Sequence, residues 1–223
     1  MSYIDFHSHV LPGADHGSDS VETSLQQLVM SKNAGVETLI ATPHFYPHRH
    51  KVDSFIERRE KAYSLLRKAR SGEDNPRIVL GAEVLLCEGL ENLPSLNMLT
   101  VDGTRTILLE LPYSSFNSGH IESVDALISA GYKIVLAHAD RYDPENIEKL
   151  LDLGSKIQLN ASSLAKLFVK KHVIEWVERG CVVAIGSDIH GKDKKAYKKY
   201  SRAIKRLGAK ADSIMKNSEL FIK

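Results

Sequence analysis

Histidines and carboxylates at the ends of apolar runs are the chemistry-bearing feature of this 223-residue chain. Six of its ten histidines fall where a predicted strand stops or just after: His7, His9, His16, His44, His138 and His190. Three acids, Glu83, Glu110 and Asp188, stand in equivalent places. Imidazole and carboxylate are the ligands that borderline and hard divalent cations prefer. The opening run Tyr3-Ile4-Asp5-Phe6-His7-Ser8-His9 reads as a strand with two imidazoles two residues apart, and side chains so spaced point the same way. A His-x-His pair alone is more often structural than ligating. Nine candidate donors at strand ends in apolar surroundings are another matter, because burying so many ionisable groups together is costly unless cations compensate them. The expectation is a multinuclear metal centre.

Residues so far apart in sequence need a scaffold that gathers strand ends. Short β-branched runs at 3–7, 38–42, 77–83, 106–111, 133–137, 156–160 and 182–187 alternate with helical periodicity at 21–34, 54–69, 121–130, 144–153, 163–179 and 194–207. That is the pattern of repeated βα units on a parallel sheet. Gly35, Gly131, Gly154, Gly180 and Gly208 follow helical stretches, where a C-terminus needs a left-handed residue. The expected fold is α/β, a distorted barrel of seven βα units forming a single domain over 1–223, with an open doubly wound sheet as the alternative. In a parallel barrel the strand C-termini share one rim. That rim would carry His7, His44, Glu83, Glu110, His138, Asn160 and Asp188.

Composition narrows the class. A net charge of +2 gives no case for nucleic-acid binding. No apolar run approaches bilayer length, and Met1 leads directly into a strand, so a cytoplasmic protein with no membrane span is expected. Cys87 and Cys181 are the only cysteines, which suits that compartment and demands no disulfide. Cys87 runs into Glu-Gly-Leu-Glu-Asn and Cys181 into Val-Val-Ala-Ile-Gly. Neither has the arginine of a phosphate-cradling loop, so cysteine-nucleophile phosphatase chemistry is not expected.

The runs Asp5-Phe6-His7-Ser8-His9-Val10-Leu11-Pro12-Gly13-Ala14-Asp15-His16-Gly17, Ile40-Ala41-Thr42-Pro43-His44, Leu80-Gly81-Ala82-Glu83, Leu108-Leu109-Glu110-Leu111-Pro112, Val135-Leu136-Ala137-His138-Ala139-Asp140-Arg141-Tyr142 and Ile185-Gly186-Ser187-Asp188-Ile189-His190 carry a resemblance. In that order they resemble the polymerase and histidinol phosphatase (PHP) superfamily, and within it the bacterial tyrosine-protein phosphatases of capsule and exopolysaccharide synthesis. The resemblance implies a PHP-type barrel and three divalent ions, manganese, iron or zinc. One would be held by His7, His9, Glu83 and Asp188, a second by Glu83, Glu110 and His138, and a third by His16, His44 and His190. Glu83 would bridge the first two. Two departures stand out: His16 where the phosphatase branch has a second acid before the glycine, and Asp140 where it has glutamate. The latter shortens the side chain beside Arg141.

Such ions lower the pKa of a bridging water towards neutrality and neutralise phosphate oxygens, so no protein nucleophile is needed. Arg141 is the candidate phosphate fork, since guanidinium matches phosphate oxygens in a bidentate way; its structural alternative is an exposed helix-start arginine. Glu83 and Asp188 join it as catalytic candidates. Arg49, with His48, His50 and Lys51, forms a basic loop after His44 that would receive an anionic peptide if it is more than a solvated charge run. Asn160, Ser162 and Ser163 read as helix caps, with ligand orientation as the alternative. The eight Lys and Arg of 192–206 read as one exposed helix face. His120 and His172 read as structural.

The function expected is hydrolysis of protein phosphotyrosine by a metal-bridging hydroxide, on a phosphorylated protein such as a bacterial tyrosine kinase tail. A small-metabolite phosphatase of histidinol phosphate type and a phosphodiesterase would use the same ligands. A non-catalytic binding module would have lost some of them. Oligomeric state is not written in the sequence.

Overall fold

A computed structural model describes residues 3–70, 76–113 and 115–223. Nine strands alternate with helices among these residues: β1 Tyr3–Ser8, β2 Val36–Ala41, β3 His44–Phe45, β4 Arg77–Leu80, β5 Glu83–Leu85, β6 Thr106–Glu110, β7 Lys133–Leu136, β8 Lys156–Asn160 and β9 Val182–Gly186. The helices are α1 Val21–Asn33, α2 Val52–Ala69, α3 Ser118–Ser129, α4 Pro144–Asp152, α5 Ala161–Leu164, α6 Lys171–Glu178, α7 Ala196–Leu207 and α8 Ala209–Leu220. Every named strand pair is parallel. All strand C-termini therefore face one end of the molecule.

The ladders form two sheets, β1-β2-β4 and β3-β5-β6-β7-β8-β9, and not one hydrogen-bonded ring of seven. The break has a local cause. Pro43 has no N–H to give, so the second expected strand, 38–42, ends as β2 at Ala41 and a two-residue β3 that the sequence reading did not include follows beyond it. The strand expected over 77–83 divides at Gly81-Ala82: β4 stays beside β2, while β5 pairs with β3 and β6. Opposite that break, the sheets touch where β1 meets the residues after β9. Asp188 N–H donates to His7 O at 2.9 Å and His9 N–H to Ile189 O at 3.3 Å.

The strands are almost wholly buried, and Phe6, Phe45, Phe55, Trp176 and Tyr200 are the largest side chains in the core. The five glycines read as helix stops all have positive φ. Two helical expectations change. The stretch 163–179 is two helices, α5 and α6, separated by 165–170. Beyond Gly208 the chain turns into α8, an element the sequence reading did not include. Among the described residues no helix is long and apolar enough to cross a membrane.

The apolar side of α7 seats β1, the strand that carries the first two imidazoles. Tyr200 donates its hydroxyl to Ile4 O at 2.7 Å, and Tyr197 donates to Asp5 Oδ2 at 2.7 Å. The other Asp5 oxygen accepts from Ser187 N–H at 2.8 Å, tying β1 to the end of β9. Asp5 is fully buried, and burial raises its pKa while the hydrogen bonds of Ser187, Tyr197 and His7 act in the opposite direction. Tyr197→Phe should therefore lower unfolding free energy by about 1–3 kcal/mol, the cost of leaving a buried acceptor unpaired. The check is a shift of the urea midpoint with an unchanged slope.

Candidate metal centre

At the C-terminal side of the sheets, Glu83 and seven of the other eight expected donors gather into one cluster. They fall into four overlapping groups: His7, Glu83 and His138; His7, His9 and Asp188; His44, Glu83 and Glu110; and His9, His44 and His190. Within each group the donor atoms lie within 4.8 Å of one another. Glu83 Oε1 is 2.8 Å from His138 Nε2. Its Oε2 is 2.9 Å from His44 Nδ1, 3.2 Å from His7 Nε2 and 3.3 Å from His9 Nε2. Asp188 Oδ1 lies 3.4 Å from His9 Nε2 and 3.4 Å from His190 Nδ1. Glu110 stands further out, 3.7 Å from His138 Nε2 and 3.9 Å from His44 Nδ1.

His16 is the exception. It is exposed, and its ring stacks 4.7 Å from His44 and 4.9 Å from His190 without its donor atoms joining any of these groups. Arg141 reaches the centre from outside, donating from Nη2 to Asp188 Oδ2. Arg49 stays in solvent, its guanidinium 5.7 Å from the Tyr46 ring, which in turn stacks 5.3 Å from His44.

The backbone is bent to make this convergence. His138 and Asp188 both have positive φ, 32° and 51°, a region costly for residues with a Cβ that persists only where the surrounding structure over-determines it. His138 leads into a short 3-10 turn, Ala139–Arg141, which swings Arg141 onto the rim.

A second layer of side chains aims the imidazoles. Asp15 Oδ2 accepts from His9 Nδ1 at 2.7 Å and from His44 N–H at 3.0 Å. Gln158 Oε1 accepts from His138 N–H at 2.7 Å and from His7 Nδ1 at 3.0 Å. Its amide donates to Asn160 Oδ1 at 3.0 Å, and Asn160 Nδ2 donates to Asp188 Oδ2 at 2.9 Å. With Nδ1 of His7 and His9 engaged, both Nε2 lone pairs face the centre, as in metal sites where the far ring nitrogen is held by an oxygen. Asn160 makes no side-chain cap, so its orienting role replaces the capping role read from sequence. Asp140 Oδ1 accepts from Asn160 N–H at 2.9 Å, fixing the Arg141 turn against the end of β8.

Sequence reasoning missed Asp15 and Gln158. Gln158 had left a sign: it interrupts an apolar strand and shares a face with Asn160 two residues on. Asp15 left none, since its contact with His9 depends on how the loop folds back.

The donor set fits divalent cations. Glu83 Oε2 and His44 Nδ1 are buried and lie 2.9 Å apart, yet neither has a hydrogen bond of proper geometry. Lone pairs that close and that poorly aligned are arranged for a shared cation. Electrostatics agree. Burial would raise the Glu83 pKa, but the charge of His7, the hydrogen bond of His138 and the close imidazole of His44 hold it well below the usual range. Asp188 is held low against burial by His7, His9 and Arg141. Glu110 is pushed up to about 7 by burial and the Glu83 charge. Burial and the His9 charge lower His190 to about 4.

Parallel α/β sheets whose C-terminal ends enclose a buried histidine and carboxylate cluster define a protein built around a candidate multinuclear metal centre. Among proteins of that class, the chain belongs to the family described as capsular polysaccharide synthesis, CpsB/CapC, whose sequence model matches residues 3–222. The resemblance read from the six motifs is thereby borne out. The tyrosine-protein phosphatase CpsB of Streptococcus pneumoniae is 30% identical over an alignment covering 98% of this chain and 95% of that protein. The tyrosine-protein phosphatase YwqE of Bacillus subtilis is 29% identical, over 84% of this chain and 77% of that one. A crystal structure from work on YwqE and CpsB, described there as unique metal-dependent tyrosine phosphatases, superposes with a TM-score of 0.82 at 23% identity, covering 99% of this chain and 94% of that one. That likeness carries the fold.

Proposed function

We propose that this chain is a metal-dependent phosphatase of protein phosphotyrosine acting in capsular or exopolysaccharide synthesis. The observation that carries the reading is the clustering of eight buried or half-buried donors, Glu83 and seven others, at the end of the molecule that the strand C-termini face. Membership of the CpsB/CapC family and the activity named for its relatives in Streptococcus pneumoniae and Bacillus subtilis support the choice of substrate. In this reading the nine strands form a distorted seven-unit PHP-type barrel, opened at Pro43 and Gly81, within a single domain spanning 1–223.

Three divalent ions of manganese, iron or zinc would be held by His7, His9, His44, Glu83, Glu110, His138, Asp188 and His190, with His16, stacked outside His44 and His190, as the outermost ligand. When bound, such ions supply Lewis acidity towards phosphate oxygens and a hydroxide near neutral pH. Glu83 and Asp188 keep negative charge beside the imidazoles. Arg141, half-exposed and paired with Asp188, turns its fork to the phosphate when substrate arrives. Arg49 and the Tyr46 ring flank the entrance on the His44 side. The physiological substrate is a phosphorylated protein, a tyrosine kinase tail in the cytoplasm.

Manganese-loaded protein should hydrolyse an aryl phosphate and lose that activity on chelation. His138→Ala should lower kcat about 10²- to 10³-fold, the scale for removing one fixed electrostatic partner of the reacting group. Rates on a phosphotyrosyl peptide should exceed those on small phosphomonoesters, histidinol phosphate included. Failure on every phosphomonoester with metals bound would end this reading.

A further inference from the structure

Beside the centre, and sharing Arg141 with it, lies a cavity of about 340 Å³ whose wall includes Tyr113, Arg141, Ser163, Lys166, Phe168 and Lys170. It exists because the helix expected over 163–179 is broken. The linking residues 165–170 are held by Arg206, whose guanidinium donates to the carbonyl oxygens of Leu164 at 3.1 Å, Leu167 at 2.9 Å and Lys166. So fixed, the loop leaves Leu167 80% and Phe168 85% exposed. These side chains add nothing to the core, and an exposed apolar pair rimmed by charge marks a contact surface. The charge there is positive. Asp140 borders the cavity too, but its carboxylate is buried and accepts Asn160 N–H. Lys170 is held at the lip by donating to Asp140 O at 3.2 Å.

Resting on the phosphatase reading above, we infer that this cavity receives an acidic side chain flanking the phosphotyrosine, with Lys166 and Lys170 as its specificity-determining residues. Charge complementarity and continuity with the centre through Arg141 identify the occupant. An extended peptide advances about 3.3–3.6 Å per residue, so a phosphotyrosine held at Arg141 puts a neighbour one to three positions away over the cavity. Phe168 and Leu167 then cover the apolar part of that segment.

The test compares two phosphotyrosyl peptides that differ only in glutamate against glutamine at the three positions on each side. For the manganese-loaded wild-type enzyme, KM for the acidic peptide should be about five-fold lower, the scale of one or two exposed ion pairs, with kcat the same for both. Lys166→Glu should abolish that ratio and favour a lysine-flanked peptide. A wild-type ratio of one, or an unchanged ratio in Lys166→Glu, overturns the inference. So does a ratio of one accompanied by Lys166-dependent binding to phosphatidylglycerol vesicles, which would assign the loop to a lipid surface. Absence of turnover on aryl phosphate would instead sink the phosphatase reading. In that event calorimetry with non-hydrolysable phosphonate versions of the two peptides decides the inference alone: a tighter acidic peptide supports it, and equal affinities overturn it.

Discussion

Glu83→Gln is expected to reduce kcat by at least about 10²- to 10³-fold, and to lower the metal content of the purified protein. The side chain is fully buried, and its two oxygens lie 2.8–3.3 Å from ring nitrogens of His138, His44, His7 and His9. An amide of the same shape preserves packing but removes the charge and one acceptor. It also turns an N–H₂ towards nitrogen lone pairs that converge on the centre. Four imidazoles would then face no shared anion, and the cations they hold would lose their common ligand. Elemental analysis and steady-state rates check this; full metal content with near wild-type kcat would show that the centre is not organised around Glu83. The same charges give the metal affinity a pH dependence. In the metal-free protein His9 is pushed well above its ordinary pKa: burial acts against protonation, but Asp15, Asp188 and Glu83 outweigh it. That proton must leave before the Nε2 lone pair can bind a cation, so metal affinity should rise with pH and be weakest on the acidic side.

Gly186→Ala should be nearly as damaging to activity, and for a steric reason. A Cβ on Gly186 would lie 2.5 Å from His7 Cβ and 2.6 Å from Gln158 Nε2. Neither neighbour can yield without cost. His7 Cβ is fixed to strand β1, and Gln158 holds both His7 and His138. The ends of β1 and β9 must separate, which is overpacking of a kind that costs about 1–3 kcal/mol. For a chain of this length the melting temperature should fall by about 2–4 °C per kcal/mol. Displacing His7 by even 1 Å should cost about 10²-fold in kcat/KM. Thermal unfolding and kinetics on the same preparation test both parts. An alanine variant with unchanged stability and rate would mean that β1 and β9 are not packed as described.

Fold and site were legible in the sequence to different depths. Alternation of apolar runs with helical periodicity is local information, and it located all seven expected strands. What periodicity could not show was the split of 77–83 and the extra short strand after Pro43, because whether Pro43 and Gly81 end one ladder and begin another depends on which neighbour each segment finds. The loop that breaks 163–179 was hidden for a similar reason: its shape is held by Arg206, about forty residues away in sequence.

The sequence by itself determined the residue types that cluster, and with them the kind of ligand atoms the centre offers a cation, since ligand chemistry belongs to side chains wherever they stand. It also carried the family, through motifs in order from Asp5 to His190. Only the tertiary structure decided how those donors are grouped, that His9 lies with His44 and His190 while the His16 ring stacks outside them, and that Asp15, Gln158 and Asn160 aim them. Positive φ at His138 and Asp188, and the bare face of Gly186, belong to the same level. Each follows from distances between chain segments brought together by burial of the strands, and a donor's direction is set by that packing rather than by its place in the sequence.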